Sequence, residues 1–192
     1  MSSDPPKGRV NLEKAAVLLL SPQTGMEILA RVFHGFGVRQ PHRAHDASSA
    51  MQVCRESPLD LIVCDGSVPD GGAYDFIAAL RRSDLEPNRY APVMVIQGHT
   101  PADQILKARD CGANFVVAKP ITPRLLLERV LWIATEQRPF IELDGYIGPD
   151  RRFQNLGPPK DPGTGAPGTG RRRVDRAAAA PKPDIDLKDS LL

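Results

Sequence analysis

Between residues 12 and 137 the chain alternates short apolar runs with stretches of helical spacing, five times over. The apolar runs are AAVLLL (15–20), VRQPHRA (38–44), DLIVC (60–64), PVMVIQ (92–97) and NFVVA (114–118). The third and fifth are β-branched and nearly unbroken, as expected of strands covered on both faces. The second is polar and carries Pro41, which has no amide hydrogen to give a ladder and so suits an edge. Between the runs, Met26, Leu29, Val32 and Phe33 share one helical face, and so do Phe76, Ile77 and Leu80. Ile105, Leu106 and Arg109, followed by DCGA, predict a helix ending at Gly112. Thr122-Pro123 opens a last helix, PRLLLERVLWIATEQ, with Thr as cap and Pro in the first turn. Strands separated by helices require right-handed crossovers, so the expected fold is α/β: a doubly wound, five-stranded parallel sheet with helices on both faces.

In such a sheet the functional crevice lies beyond the carboxyl ends of the strands. Ser21, Asp46, Asp65, Gln97, Gly98 and Lys119 stand there. Asp65 ends the third run and Lys119 the fifth. A carboxylate and an ammonium at neighbouring strand ends can form a salt bridge or share a phosphoryl group.

Composition changes sharply near residue 140. Glycines and prolines crowd the stretch DPGTGAPGTG, followed by RRR, AAAA and PKPD. From about residue 157 such a sequence buries too little apolar surface to offset the entropy of ordering, so 157–192 is expected to be a disordered tail. The organisation read from the chain is a flexible lead (1–11), a domain (12–137), an extension (138–156) and that tail. The net charge of +2 over 192 residues is too near neutral to argue for nucleic acid. No apolar run reaches the roughly 20 residues of a membrane-spanning helix, nor is there a secretion signal, and a cytoplasmic location is expected. Cys54, Cys64 and Cys111 show no paired-ligand spacing and read as small apolar residues. His34, His42, His45 and His99 show no metal spacing. GSVPDGG is not a phosphate cradle of the dinucleotide or P-loop type.

The segments PLDLIVCDGSVPDGG and CGANFVVAKPIT, with Pro69 after Asp65 and Pro120 after Lys119, resemble the receiver domain of bacterial two-component response regulators. The resemblance covers about residues 13–137. It implies the flavodoxin-like strand order 2-1-3-4-5. It places Asp65 on the phospho-accepting aspartate, Lys119 on the phosphate-contacting lysine, and Lys119-Pro120 on a cis peptide. It also implies Mg²⁺ as cofactor and a histidine kinase or another signalling protein as partner, with no enzymatic activity of the chain's own.

Three departures qualify this. Receivers end the first strand in two acidic residues that hold Mg²⁺ beside the acceptor; here Ser21 and Pro22 stand there, leaving Asp65 as the carboxylate of a weakened metal site. The Ser or Thr ending the fourth strand is replaced by Gln97, whose amide could still contact phosphate. The switching aromatic of the fifth strand is matched by Val116, and Phe115, one residue earlier, faces the opposite side. Slowed Mg²⁺-dependent phosphorylation is therefore expected, and signalling by contact, with an active phospho-acceptor as the alternative.

The last helix has more apolar positions than one buried face needs: Leu125, Leu126, Leu127, Val130, Leu131, Trp132 and Ile133. The surplus suits a homodimer, a partner, or a seat for Phe140, Ile141, Tyr146, Ile147 and Phe153 of the extension, which is the expected occupant. Within that extension GPDRR (148–152) resembles basic extensions of some single-domain receivers. Arginine suits guanine edges and faces, so Asp150, Arg151 and Arg152, with Arg171 to Arg173, form a candidate cyclic di-GMP site. The whole reads as a stand-alone receiver without an output domain.

Overall fold

The computed structural model describes residues 12–69, 72–98, 107, 110–135, 138–143 and 145–150. Five strands form one parallel sheet: β1 (Val17–Leu20), β2 (His42–Ala44), β3 (Leu61–Asp65), β4 (Val93–Gln97) and β5 (Phe115–Ala118). Their order is β2-β1-β3-β4-β5, as the resemblance implies. The helices are α1 (Gln23–Gly35), α2 (Ala47–Glu56), α3 (Gly72–Arg82) and α4 (Pro123–Thr135), with a 3₁₀ turn at Asn88–Tyr90. Ile105, Leu106 and Arg109 lie outside the described residues. Gly112, the expected helix stop, has φ +95°, the left-handed conformation of a helix C-cap.

Period two sorts the core into two layers. Leu18, Leu20, Ile62, Cys64, Val93 and Val95 point to the side covered by α2 and α3. Val17, Leu19, Leu61, Val63, Met94 and Ile96 point to the side covered by α1 and α4. Each fully buried Leu, Ile or Val contributes roughly 1.5–3 kcal/mol. Val116 packs in the first layer and Phe115 in the second, so the two do face opposite ways. Strand β2 is three residues long, shorter than the run 38–44 suggests, and Pro41 lies just outside it.

Beyond α4, β6 (Phe140–Leu143) and β7 (Tyr146–Pro149) form an antiparallel hairpin. Its contacts reach beyond α4. Arg138 lies over the Trp132 ring of α4 at 5.2 Å, but the strands themselves pack at the amino ends of β4 and β5. There Phe140 meets Tyr90 edge-on at 5.0 Å, and the Arg81 guanidinium lies 5.2 Å from the Phe140 ring. Glu142 pairs with Arg89 at 2.7 Å. Gly112 and Gly148 make the close approach feasible, since a Cβ on Gly148 would come within 2.8 Å of the Gly112 Cα. Trp132 is instead occupied by Phe115, edge-on at 5.2 Å.

Arg81 holds this pole together. It is 1% exposed, yet its bonds go to neutral acceptors: Nε to Gly112 O (3.1 Å), Nη1 to Arg89 O (2.6 Å) and Ala91 O (2.9 Å), Nη2 to Asn114 Oδ1 (3.2 Å). Burial lowers its pKa from 12.5 to about 10.

Candidate functional site

Parallel register decides which side chains meet at the carboxyl rim. Leu20 lies opposite Cys64 and Asp65 opposite Ile96, so Asp65 reaches one residue beyond the end of β1, level with Ser21. Gln97 lies opposite Ala118, and Lys119 is the next residue. The Lys119 amide donates to Gln97 O at 2.6 Å, and the Lys119–Pro120 peptide is cis. The amide hydrogen bond fixes where the lysine stem leaves the sheet.

The Lys119 ammonium donates to both Asp65 oxygens, at 2.9 Å to Oδ1 and 2.8 Å to Oδ2. Asp65 Oδ1 also accepts from the Ser67 amide (2.9 Å) and the Ser67 hydroxyl (2.7 Å). The carboxylate is buried and fully engaged, whereas the lysine side chain stays 40% exposed. Charge-assisted bonds of this kind are about twice as strong as neutral ones, but an ammonium open to water limits the pair's net worth.

Ser21 is buried, and its hydroxyl donates to Pro22 O at 3.3 Å. His45 Nδ1 lies 3.1 Å from Ser21 O. Asp46, the acidic residue after β2, serves another purpose: its carboxylate caps α2 by accepting from the Ser49 amide at 2.8 Å, and that bond lowers its pKa. Gln97 is buried against the segment after Asp65, its Cγ 3.6 Å from where a Gly66 Cβ would stand. Tyr74 of α3 fills the same space, its hydroxyl 2.9 Å from that position. Burial raises the Tyr74 pKa, with the Asp65 charge acting in the same direction. Tyr74 is a residue that sequence reasoning missed. The signal available was Gly66 itself, a small residue directly after the acceptor.

Mg²⁺ asks for several hard oxygen ligands in octahedral array. Among the described residues, no three His, Cys, Asp or Glu side chains come together to hold a metal. At this rim Asp65 spends its oxygens on Lys119 and Ser67, and Pro22 offers no ligand side chain. The residues present do not fit the ion well.

Of the nucleotide candidates, Asp150 is 4% exposed and its amide donates to Pro139 O at 2.8 Å. Arg151, Arg152 and Arg171 to Arg173 lie outside the described residues, as does His99. All three cysteines are free and buried. Burial pushes the Cys54 thiol up to about 11 and the Cys64 thiol well above its ordinary value. No helix among the described residues is long and apolar enough to cross a membrane.

Comparison with known proteins agrees with this geometry. The chemotaxis protein CheY of Pseudomonas aeruginosa is 26% identical over 107 residues, 56% of this chain and 85% of that protein. The phosphate regulon transcriptional regulatory protein PhoB of Escherichia coli is 30% identical over 91 residues, 47% of this chain but 39% of that protein. A solved structure of a putative response regulator from Chloroflexus aurantiacus is 25% identical and superposes with a TM-score of 0.56, covering 62% of this chain and 96% of that one. The family model for the response regulator receiver domain matches residues 23–131, ending within α4 and short of the hairpin. Asp65 and Lys119 both fall inside the matched residues, and the chain belongs to the response regulator receiver domain family.

Proposed function

We propose that this receiver domain works in two-component signalling mainly by protein contact, with Mg²⁺-dependent phosphorylation of Asp65 strongly slowed. The observation that supports this reading is the end of β1, where Ser21 and Pro22 stand and Asp65 is bound to Lys119 and Ser67. A metal supplies several kcal/mol of charge stabilisation in phosphoryl transfer, so a site that holds it poorly is a slow acceptor. The partner is a histidine kinase or another signalling protein, met through a preset surface. The half-buried face of α4, including Trp132, is the candidate for that contact or for a homodimer.

The Asp65–Lys119 pair supports a second reading, an active acceptor. An Asp65 oxygen attacks the phosphorus of a phosphohistidine, the N–P bond breaks, and the imidazole keeps the electron pair. Lys119 then neutralises the acyl phosphate.

Titration of the chain with beryllofluoride at rising Mg²⁺, followed by Trp132 fluorescence and amide shifts, separates the two. Silence at millimolar Mg²⁺ supports signalling by contact. A saturable response that Asp65→Asn abolishes overturns it in favour of the acceptor.

A further inference from the structure

Tyr74 stands in the first turn of α3, where that helix meets the rim. Its side chain is 9% exposed, and its hydroxyl closes no hydrogen bond among the described residues. Buried polar groups are nearly always bonded, so one left open beside the acceptor calls for an explanation. Three distances locate it. A Cβ on Gly66 would stand 2.9 Å from the Tyr74 hydroxyl, 3.6 Å from Gln97 Cγ and 3.4 Å from Ile96 O. The residue after Asp65 thus leaves a space that the tyrosine and the glutamine share. Gln97 is the polar neighbour of Tyr74 there, and its amide draws the tyrosine pKa down against the rise that burial gives it.

The backbone on either side of this space is held. Gly66 N donates to Ile96 O at 2.7 Å, and Gln97 O accepts from the Lys119 amide at 2.6 Å. Gln97 is 4% exposed at the end of β4, so the freedom left to it lies in its side-chain torsions. A carboxamide has an acceptor end and a donor end. A hydroxyl that donates to Oε1 engages the first and leaves Nε2 for an oxygen arriving at Asp65. A bond that is open in the unloaded chain and closed in the loaded one stabilises the loaded one alone.

We propose that Tyr74 is a positioning residue for phosphoryl transfer to Asp65: its hydroxyl closes onto Gln97 Oε1 as the phosphoryl group arrives and directs Nε2 to a phosphoryl oxygen. The inference rests on Asp65 being an acceptor, however slow. The hydroxyl missing from the end of β4 is replaced by two side chains acting in series, one from β4 and one from α3.

The test incubates the full chain with phosphoramidate and Mg²⁺ for hours and reads the phosphorylated fraction by intact mass. An Asp65 oxygen attacks the phosphorus, the P–N bond breaks, and ammonia leaves with the electron pair. Asp65→Asn sets the background. Tyr74→Phe keeps the ring and should slow phosphorylation about tenfold. The urea midpoint of that variant, unloaded, should stay level or rise, because a buried hydroxyl without a bond has gone. Gln97→Leu should slow the reaction as much, and Tyr74→Phe should add nothing on that background. Equal rates in Tyr74→Phe and the unaltered chain overturn the inference alone. A clear fall in the urea midpoint of Tyr74→Phe overturns it too, since the hydroxyl is then already bonded in the unloaded chain. Additive losses with Gln97→Leu do the same, since the two side chains then act independently. An unaltered chain no faster than Asp65→Asn overturns the inference together with acceptor chemistry, and leaves signalling by contact standing.

Discussion

The two poles of the sheet treat a buried charge in opposite ways. At the carboxyl rim the ammonium of Lys119 meets a carboxylate and remains 40% exposed. At the amino pole the guanidinium of Arg81 is 1% exposed and meets carbonyls, an amide oxygen and an aromatic ring. The first arrangement is an ion pair whose ammonium water can reach, so that the lysine can exchange partners at little cost. The second is a cation fixed by five surrounding groups, with the hairpin closing over it. Opening it would strand acceptors as well as a charge. The rim thus keeps a cation open to water, and the far end locks the Arg81 cation in place.

The largest test of that contrast is Arg81→Met. It removes the donors to Gly112 O, Arg89 O, Ala91 O and Asn114 Oδ1 together. Breaking a buried polar network of this kind costs roughly 3–5 kcal/mol. The urea midpoint should fall accordingly, and the near-ultraviolet signal of the hairpin tyrosine with it. A loss no larger than that of Lys119→Met would erase the distinction between the poles.

Titration gives the next effect, in the layer between them. Burial raises Cys54 from 9.0 to about 11, and raises Cys64 and Tyr74 as well. A folded pKa above the unfolded one means stability that is complete below pH 9 and is lost as pH climbs toward about 11. Arg81, lowered to about 10, acts oppositely only above that value. Urea midpoints should therefore decline between pH 9 and about 10, and a flat profile there would place the thiols in water. Thiol reagents should react with all three cysteines at a rate set by unfolding.

Backbone contact makes the third. Gly112 sits at φ +95°, and a Cβ there would run into Ile147 O and Arg81 Cγ. Gly112→Ala should cost about 2 kcal/mol or more, from the left-handed backbone and the clash together. Gly35→Ala, at the last position of α1 with open space around its Cβ, should be neutral or stabilise by up to about 1 kcal/mol. Differential scanning of both variants reads the contrast. Equal effects would mean the hairpin does not press on Gly112.

The rim was more legible in the sequence than the amino pole, and the reason is range. Strand ends are marked by local runs, so DLIVC followed by Asp65 and NFVVA followed by Lys119 mark the pair. Period two likewise separated Val116 from Phe115. Ser21 and Pro22 were readable because the departure lies inside a motif. Arg81 carries no such mark: a basic residue in the last turn of a helix is ordinary, and its burial depends on loops before Arg89, Gly112 and Phe140 converging. The hairpin's contacts with Arg81 and Tyr90 are hidden for the same cause. The apolar surplus of α4 is visible, but only the folded placement of distant residues shows Phe115 and the extension's Arg138 packing on a half-buried Trp132, and Phe140 going to Arg81 and Tyr90.

The smallest expected effect closes the comparison at the rim. Lys119→Met leaves Asp65 with the two bonds from Ser67 and with water able to enter where the ammonium was. The cost should be about 1 kcal/mol, the upper end for a pair whose ammonium is open to water. Asp65→Asn should cost no more, because the freed ammonium hydrates and Ser67 still finds an acceptor in the amide oxygen. A double-mutant cycle between the two, read by urea unfolding, should give a coupling near 1 kcal/mol. A coupling of several kcal/mol would describe a locked pair like that of Arg81, and neither a phosphoryl group nor a docking partner could then separate Lys119 from Asp65. A small coupling is what a receiver needs, since whatever arrives at the rim must replace one of these two charges as the other's neighbour.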